Sequence, residues 1–154
     1  LHGKPLGTVD AKGVVASFVA LYWGGAMLGR FVGSALTLIL RPPVVLTVFG
    51  VSAIALVGIS MSTEGFTAMW SILAVGLFNS VMFPTIFTEA IEGMGDLKPQ
   101  ASGILCTAIA GGAFIPPLLG KLADGFGFKA AFMLLLLCYG FIVAYGFYTK
   151  RRIA

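Results

Sequence analysis

Five apolar runs, each long enough to cross a lipid bilayer as a helix, fill this chain and leave little room for anything else. They are expected at 13–40, 44–61, 66–90, 101–119 and 130–148, with 1–12 read as an external loop and 13–154 as a transmembrane region. A bilayer core holds no water to satisfy backbone N–H and C=O groups, so runs of this length become helices. The expected fold is therefore all-α and integral to the membrane, with five transmembrane helices. Of 154 residues, 58% are hydrophobic and only 10% charged, too few charges to solvate the surface of a water-soluble domain.

The same composition excludes several functions. Ten Lys and Arg against six Asp and Glu give a net charge of +4, but the basic residues are scattered over short connections and the C-terminus. Nucleic-acid binding requires a clustered basic face, so nucleic acid is not an expected partner. Cys106 and Cys138 sit inside apolar runs and read as small packing residues. His2 is the sole histidine and lies in the polar leader, so neither a His-based metal cluster nor a catalytic triad can be assembled, and no cofactor is expected. Gly50-Val51-Ser52-Ala53 offers a serine, yet no histidine or lysine is embedded nearby to act as its base, which excludes an intramembrane hydrolase. The start at Leu1, without a methionine or a signal-peptide pattern, is what a fragment or a processed piece would show.

The first run carries the chemistry. Its 28 residues would make about 42 Å of helix, longer than the ~30 Å hydrocarbon core, with Arg30 in the interior. A charged side chain at that depth costs between about 3 and 15 kcal/mol, so it faces a cavity or a partner unless it snorkels to the interface. Trp23, Arg30 and Thr37 are seven apart and return to one side of a helix, placing an aromatic plate, a cation and a hydroxyl in one stripe. Trp23 is about 15 Å inside its span, deeper than the interfacial aromatic belt. Gly25, Gly29 and Gly33 recur every fourth residue and are expected to form a helix-packing seam.

Elsewhere polar residues are sparse. In the third run Asn79 and Phe83 share a face, with Met82 beside them, and Pro84 interrupts the same region. Glu89 and Glu92 approach the end of that run and are expected to meet water or a loop lysine. Ser102, Thr107 and Gly111-Gly112 give the fourth run a thin polar face, and Pro116-Pro117 marks a bend. An odd number of spans puts the termini on opposite sides. Lys150, Arg151 and Arg152 direct the C-terminus to the cytoplasm, which leaves the leader outside and Arg41 and Lys98 inside.

Three stretches resemble one family. Leu21-Tyr-Trp-Gly-Gly-Ala-Met-Leu-Gly-Arg-Phe-Val-Gly-Ser34, Leu77-Phe-Asn-Ser-Val-Met-Phe-Pro-Thr-Ile-Phe-Thr88, and Gly103-Ile-Leu-Cys with Gly111-Gly112 and Pro116 are similar to fucose permease and glucose/galactose type sugar:proton symporters of the major facilitator superfamily. The resemblance implies helices eight to twelve of a twelve-helix transporter, most of its C-terminal six-helix half, with the missing N-terminal half as partner. It implies a multi-pass protein of the cell membrane, the inner membrane of a bacterium, carrying a monosaccharide with a proton by alternating access. It also implies that Arg30 faces the central cavity and that the sugar site reaches Met82 and Phe83. Met82 and Phe83 stand where fucose-specific members carry a polar pair, which favours glucose or galactose. Gly120 to Gly127 is similar to the superfamily's cytoplasmic loop signature; the C-terminal basic cluster opposes the flipped topology that it would require. The candidate substrate-binding set is thus Arg30, Trp23, Asn79, Phe83 and Met82. The rival reading is a structural or assembly subunit of a membrane complex, with the glycine ladder as its interface.

Overall fold

The computed structural model describes residues 11–153, which form helices and short turns. Helix α1 runs Ala11–Ile39, α2 Pro42–Ser62, α3 Gly65–Ile91, α4 Lys98–Ala108, α5 Ile115–Phe126 and α6 Phe128–Ile153. Gly95–Leu97 and Ile109–Ala113 are single 3-10 turns. Among the described residues five segments are long and apolar enough to span a bilayer, α4 and α5 together making the fourth. The expected leader, 1–12, falls outside the described residues except for 11 and 12, which already belong to α1.

Proline sets several boundaries. Arg41 takes φ −60 and ψ 135, the extended geometry forced on a residue before proline, and Pro42-Pro43 then occupies the first turn of α2, where no donor is needed. Pro99 and Pro116-Pro117 open α4 and α5 in the same way. The fourth span breaks at 109–113 because Pro116 and Pro117 cannot donate to the carbonyls four residues earlier, and Gly111-Gly112 has little helix propensity of its own. The polar run after Leu119, expected as a turn, instead continues as helix to Phe126. Leu119, Leu122 and Ala123 are half-buried at helical spacing, and α5 packs along α6. Gly127, at φ +84, then reverses the chain.

The core lies between α2, α3 and α6. Val45, Leu46, Phe49, Ala53 and Val57 of α2 meet Val75, Val81 and Met82 of α3 and Tyr139 of α6. Phe49 and Phe78 pack edge to face, centroids 5.4 Å apart. The α2–α6 contact is close: a Cβ on Gly50 would stand 2.7 Å from Val143 Cγ2, and one on Gly146 2.5 Å from Thr47 Oγ1. Ser60 donates across helices to the Ala68 carbonyl at 3.0 Å. Helix α3 is central, with α2 on one flank and α1 on the other, whereas no residue of α4 or α5 is buried.

The glycine ladder departs from expectation at Gly25. A Cβ on Gly29 would fall on the Leu77 carbonyl oxygen, and one on Gly33 on Val81 Cγ2, so both lie against α3. A Cβ on Gly25 would meet nothing within 4 Å among the described residues. Each four-residue step advances about 40° round a helix, so a strict four-residue ladder drifts off the contact line. Tyr22 and Ala26 complete the seam instead, Ala26 buried and the Tyr22 ring against Gly76.

Candidate functional site

Helices α1 and α3 splay on either side of Arg30 to form two clefts. The first, about 390 Å³, is lined by Tyr22, Trp23, Ala26 and Arg30 from α1 and Gly76, Asn79, Ser80, Phe83 and Pro84 from α3. The second, about 380 Å³, lies toward the ends where α1 and α3 finish, and is lined by Arg30, Ser34, Thr37, Pro42, Val81, Pro84, Thr85 and Thr88. Arg30 and Pro84 belong to both. Arg30 is about 29 Å along α1 from Ala11 and about 14 Å from Ile39, well inside the span.

The first cleft brings together four of the five residues expected to bind substrate. Trp23 is 65% exposed and Phe83 53%, so two large aromatic faces stand open at its rim. Asn79 is exposed, and its Nδ2 donates to the Tyr22 hydroxyl at 3.5 Å. Trp23 and Tyr22 meet edge to face, centroids 6.0 Å apart. Among the described residues, the Arg30 guanidinium has neither a hydrogen-bond nor an ion-pair partner. An exposed cation, an amide, a tyrosine and open ring faces suit a ligand that combines hydroxyls with an apolar face.

Met82 is the exception. It is 2% exposed and belongs to the core beside Val75 and Phe49, lining neither cleft. One residue before Phe83 means about 100° of rotation, which carries Met82 from the α1 side of α3 to the α2 side.

Tyr22, Gly76 and Ser80 were not anticipated, nor the hydroxyls of Ser34, Thr85 and Thr88. A signal existed: Gly76, Ser80, Pro84 and Thr88 are four apart, a small-residue stripe on an otherwise bulky helix. Gly76 matters because a Cβ there would come within 2.8 Å of the Tyr22 ring. Its absence lets that ring pack against α3.

Other features lie apart. Glu89 and Glu92 line a hollow of about 660 Å³ with Tyr145, Tyr148 and Thr149. Thr107 is exposed on α4 and bonds back to the Gly103 carbonyl at 2.9 Å. Cys106 and Cys138 are free thiols. Among the described residues no His, Cys, Asp or Glu cluster could hold a metal ion.

No protein-family model matches the chain. A crystal structure of a major facilitator superfamily transporter, FucP, in the outward conformation superposes with a TM-score of 0.80 at 28% identity, over 89% of this chain and 33% of that one. The chain has the fold of the C-terminal portion of a major facilitator superfamily transporter. Sequence relatives agree. A glucose/galactose transporter of Brucella abortus is 50% identical over 131 residues, 85% of this chain and 32% of the relative. A putative glucose/galactose transporter of Helicobacter pylori is 41% identical over 133 residues, 83% of this chain and 33% of the relative. The L-fucose-proton symporter of Escherichia coli is 30% identical over 147 residues, 92% of this chain and 34% of the relative. The chain thus spans about a third of the length of the curated relatives that it matches.

Proposed function

We propose that this chain forms most of one half of a proton-coupled monosaccharide transporter, with glucose or galactose as cargo in preference to fucose. Sugar would bind in the first cleft, closed from the opposite side by the transporter's other half, and would pass by alternating access. Arg30 donates hydrogen bonds to ring hydroxyls, Trp23 and Phe83 offer ring faces, and Asn79, steadied by Tyr22, completes the polar contacts. The observation that carries this reading is the place of Arg30: an exposed guanidinium well inside a span, flanked by clefts on both sides. The greater identity to glucose/galactose transporters than to fucose symporters supports the cargo preference.

In this reading the protein is a multi-pass component of the bacterial inner membrane, its C-terminus cytoplasmic, as Lys150 and Arg151 favour. It is a carrier and not an enzyme. The proton's carboxylates are expected in the other half. The rival role as an assembly subunit loses its main support, because Gly29 and Gly33 are already engaged by α3 of the same chain.

The test is sugar uptake by the full-length protein bearing Arg30→Ala or Arg30→Lys. Both variants, made in normal amounts, are expected to lose most uptake: Arg30→Ala removes a charged hydrogen-bond donor, at about 1.5–3 kcal/mol or about 10- to 150-fold in affinity, and Arg30→Lys keeps the charge but loses the planar fork of guanidinium donors. Parental rates in both would overturn the assignment.

A further inference from the structure

The second cleft has no place in the site just proposed, yet it is nearly as large as the first and shares Arg30 with it. Four hydroxyls converge on its walls: Ser34 and Thr37 from α1, Thr85 and Thr88 from α3. Three have committed their hydrogens. Thr37 Oγ1 donates to the Ser34 carbonyl at 2.8 Å, Thr85 Oγ1 to the Val81 carbonyl at 2.8 Å, and Thr88 Oγ1 to the Pro84 and Thr85 carbonyls, both at 3.0 Å.

A threonine that donates to its own helix can present only lone pairs to a ligand. The three threonines of this wall therefore accept hydrogen bonds, and the donors on the cleft side come from Arg30 and the Ser34 hydroxyl. Pro84 extends the pattern, because it has no N–H to offer the Ser80 carbonyl one turn back, at the boundary between the clefts. A ligand suited to this surface must bring many O–H donors and tolerate one cation. A carboxylate or phosphate would face the threonine lone pairs and gain little beyond Arg30 and the Ser34 hydroxyl. A neutral polyhydroxylated ring fits.

We infer that the second cleft is a transit site for the same neutral sugar, occupied after it leaves the first cleft and before it reaches the side where α1 ends at Arg41. The inference rests on the sugar-transport reading above. The Arg30 guanidinium, unpartnered among the described residues, serves both positions in turn, donating first to sugar beside Asn79 and then to sugar beside Thr37 and Thr88. Because Arg30 and Pro84 border both clefts, the cargo passes between them without losing its charged donor.

The experiment uses the full-length transporter in proteoliposomes of known orientation, with half-saturation measured separately for sugar entering from each side. The variant Thr37→Val with Thr88→Val keeps side-chain shape and removes the acceptors. It is expected to raise half-saturation from the Arg41 side by about 5- to 10-fold, the loss of one to two hydrogen bonds, and to leave the opposite side within about twofold. Asn79→Ala is expected to show the reverse asymmetry. Thr37→Ser with Thr88→Ser should restore the parental value, which separates a lost acceptor from a packing defect. Equal effects from both sides, no effect from either, or no rescue by serine would overturn the inference while leaving the first cleft intact. If the parent moves no sugar but moves another neutral solute, the function proposed above falls, and with it this inference.

Discussion

Gly29 of α1 lies directly against Leu77 of α3, so close that a Cβ on Gly29 would clash with the Leu77 carbonyl oxygen. That obstacle is backbone and cannot rotate away. Gly29→Ala in the full-length protein should therefore push α1 off α3 and cost about 1–3 kcal/mol, the usual range for overpacking. Gly25→Ala should be neutral or slightly stabilising, since its Cβ would enter open space and alanine favours the helix by up to about 1 kcal/mol. Thermal unfolding of the two purified variants in detergent checks this; equal melting temperatures would contradict it.

Met82 and Phe83 are neighbours in sequence with opposite surroundings, one in the core and one at the rim of the first cleft. Met82→Ala is expected to lose about 2–5 kcal/mol of stability and to leave the apparent sugar affinity of the surviving protein unchanged. Phe83→Ala should do the reverse, weakening sugar binding with little change in melting temperature. Measuring both quantities on both variants decides the matter.

Tyr22 reaches the first cleft by lying on Gly76, where its hydroxyl accepts from Asn79. Tyr22→Phe should weaken sugar binding by about 2- to 10-fold, the worth of one neutral hydrogen bond. Gly76→Ala displaces the whole ring and should have the larger effect. In a double-mutant cycle, Tyr22→Phe and Asn79→Ala should be non-additive, because each removes the same contact. Strict additivity would show that the two act separately.

The fourth span bends at Ile109–Ala113, and a Cβ on Gly111 or Gly112 would meet nothing within 4 Å among the described residues. Gly111→Ala with Gly112→Ala is therefore sterically free but raises helix propensity by about 1 kcal/mol per residue. If the bend takes part in alternating access, turnover should fall while sugar affinity holds. Uptake kinetics alongside equilibrium binding checks this; unchanged turnover would make the bend passive.

Much of the candidate site was legible in sequence because its logic is local. Arg30 stands out since charge is costly in lipid, and the seven-residue step from Trp23 through Arg30 to Thr37 needs only a regular helix to place them on one side. Asn79 and Phe83 follow in the same way. Tyr22, Ser34, Thr85 and Thr88 were missed because aromatic and hydroxyl residues are common in membrane helices, and only the approach of α1 to α3 distinguishes those lining a cleft. The break in the fourth span was visible as Gly111-Gly112 and Pro116-Pro117, but the continuation of helix to Phe126 was not. It depends on an apolar face meeting α6, and glycines at 120 and 125 disguise that face.

The sequence by itself determined that this chain spans a membrane as helices, where its apolar segments lie, and that one of them carries a buried-depth arginine, because hydrophobic length and the cost of charge are properties of each segment alone. Tertiary structure decided which glycines touch a neighbour and which side of α3 belongs to the core. A four-residue ladder drifts about 40° per step, so the line of contact is fixed by the crossing of two helices and not by either one. Gly29 and Gly33 fall on that line and Gly25 does not; Met82 turns to α2, and Phe83 stays open beside Arg30.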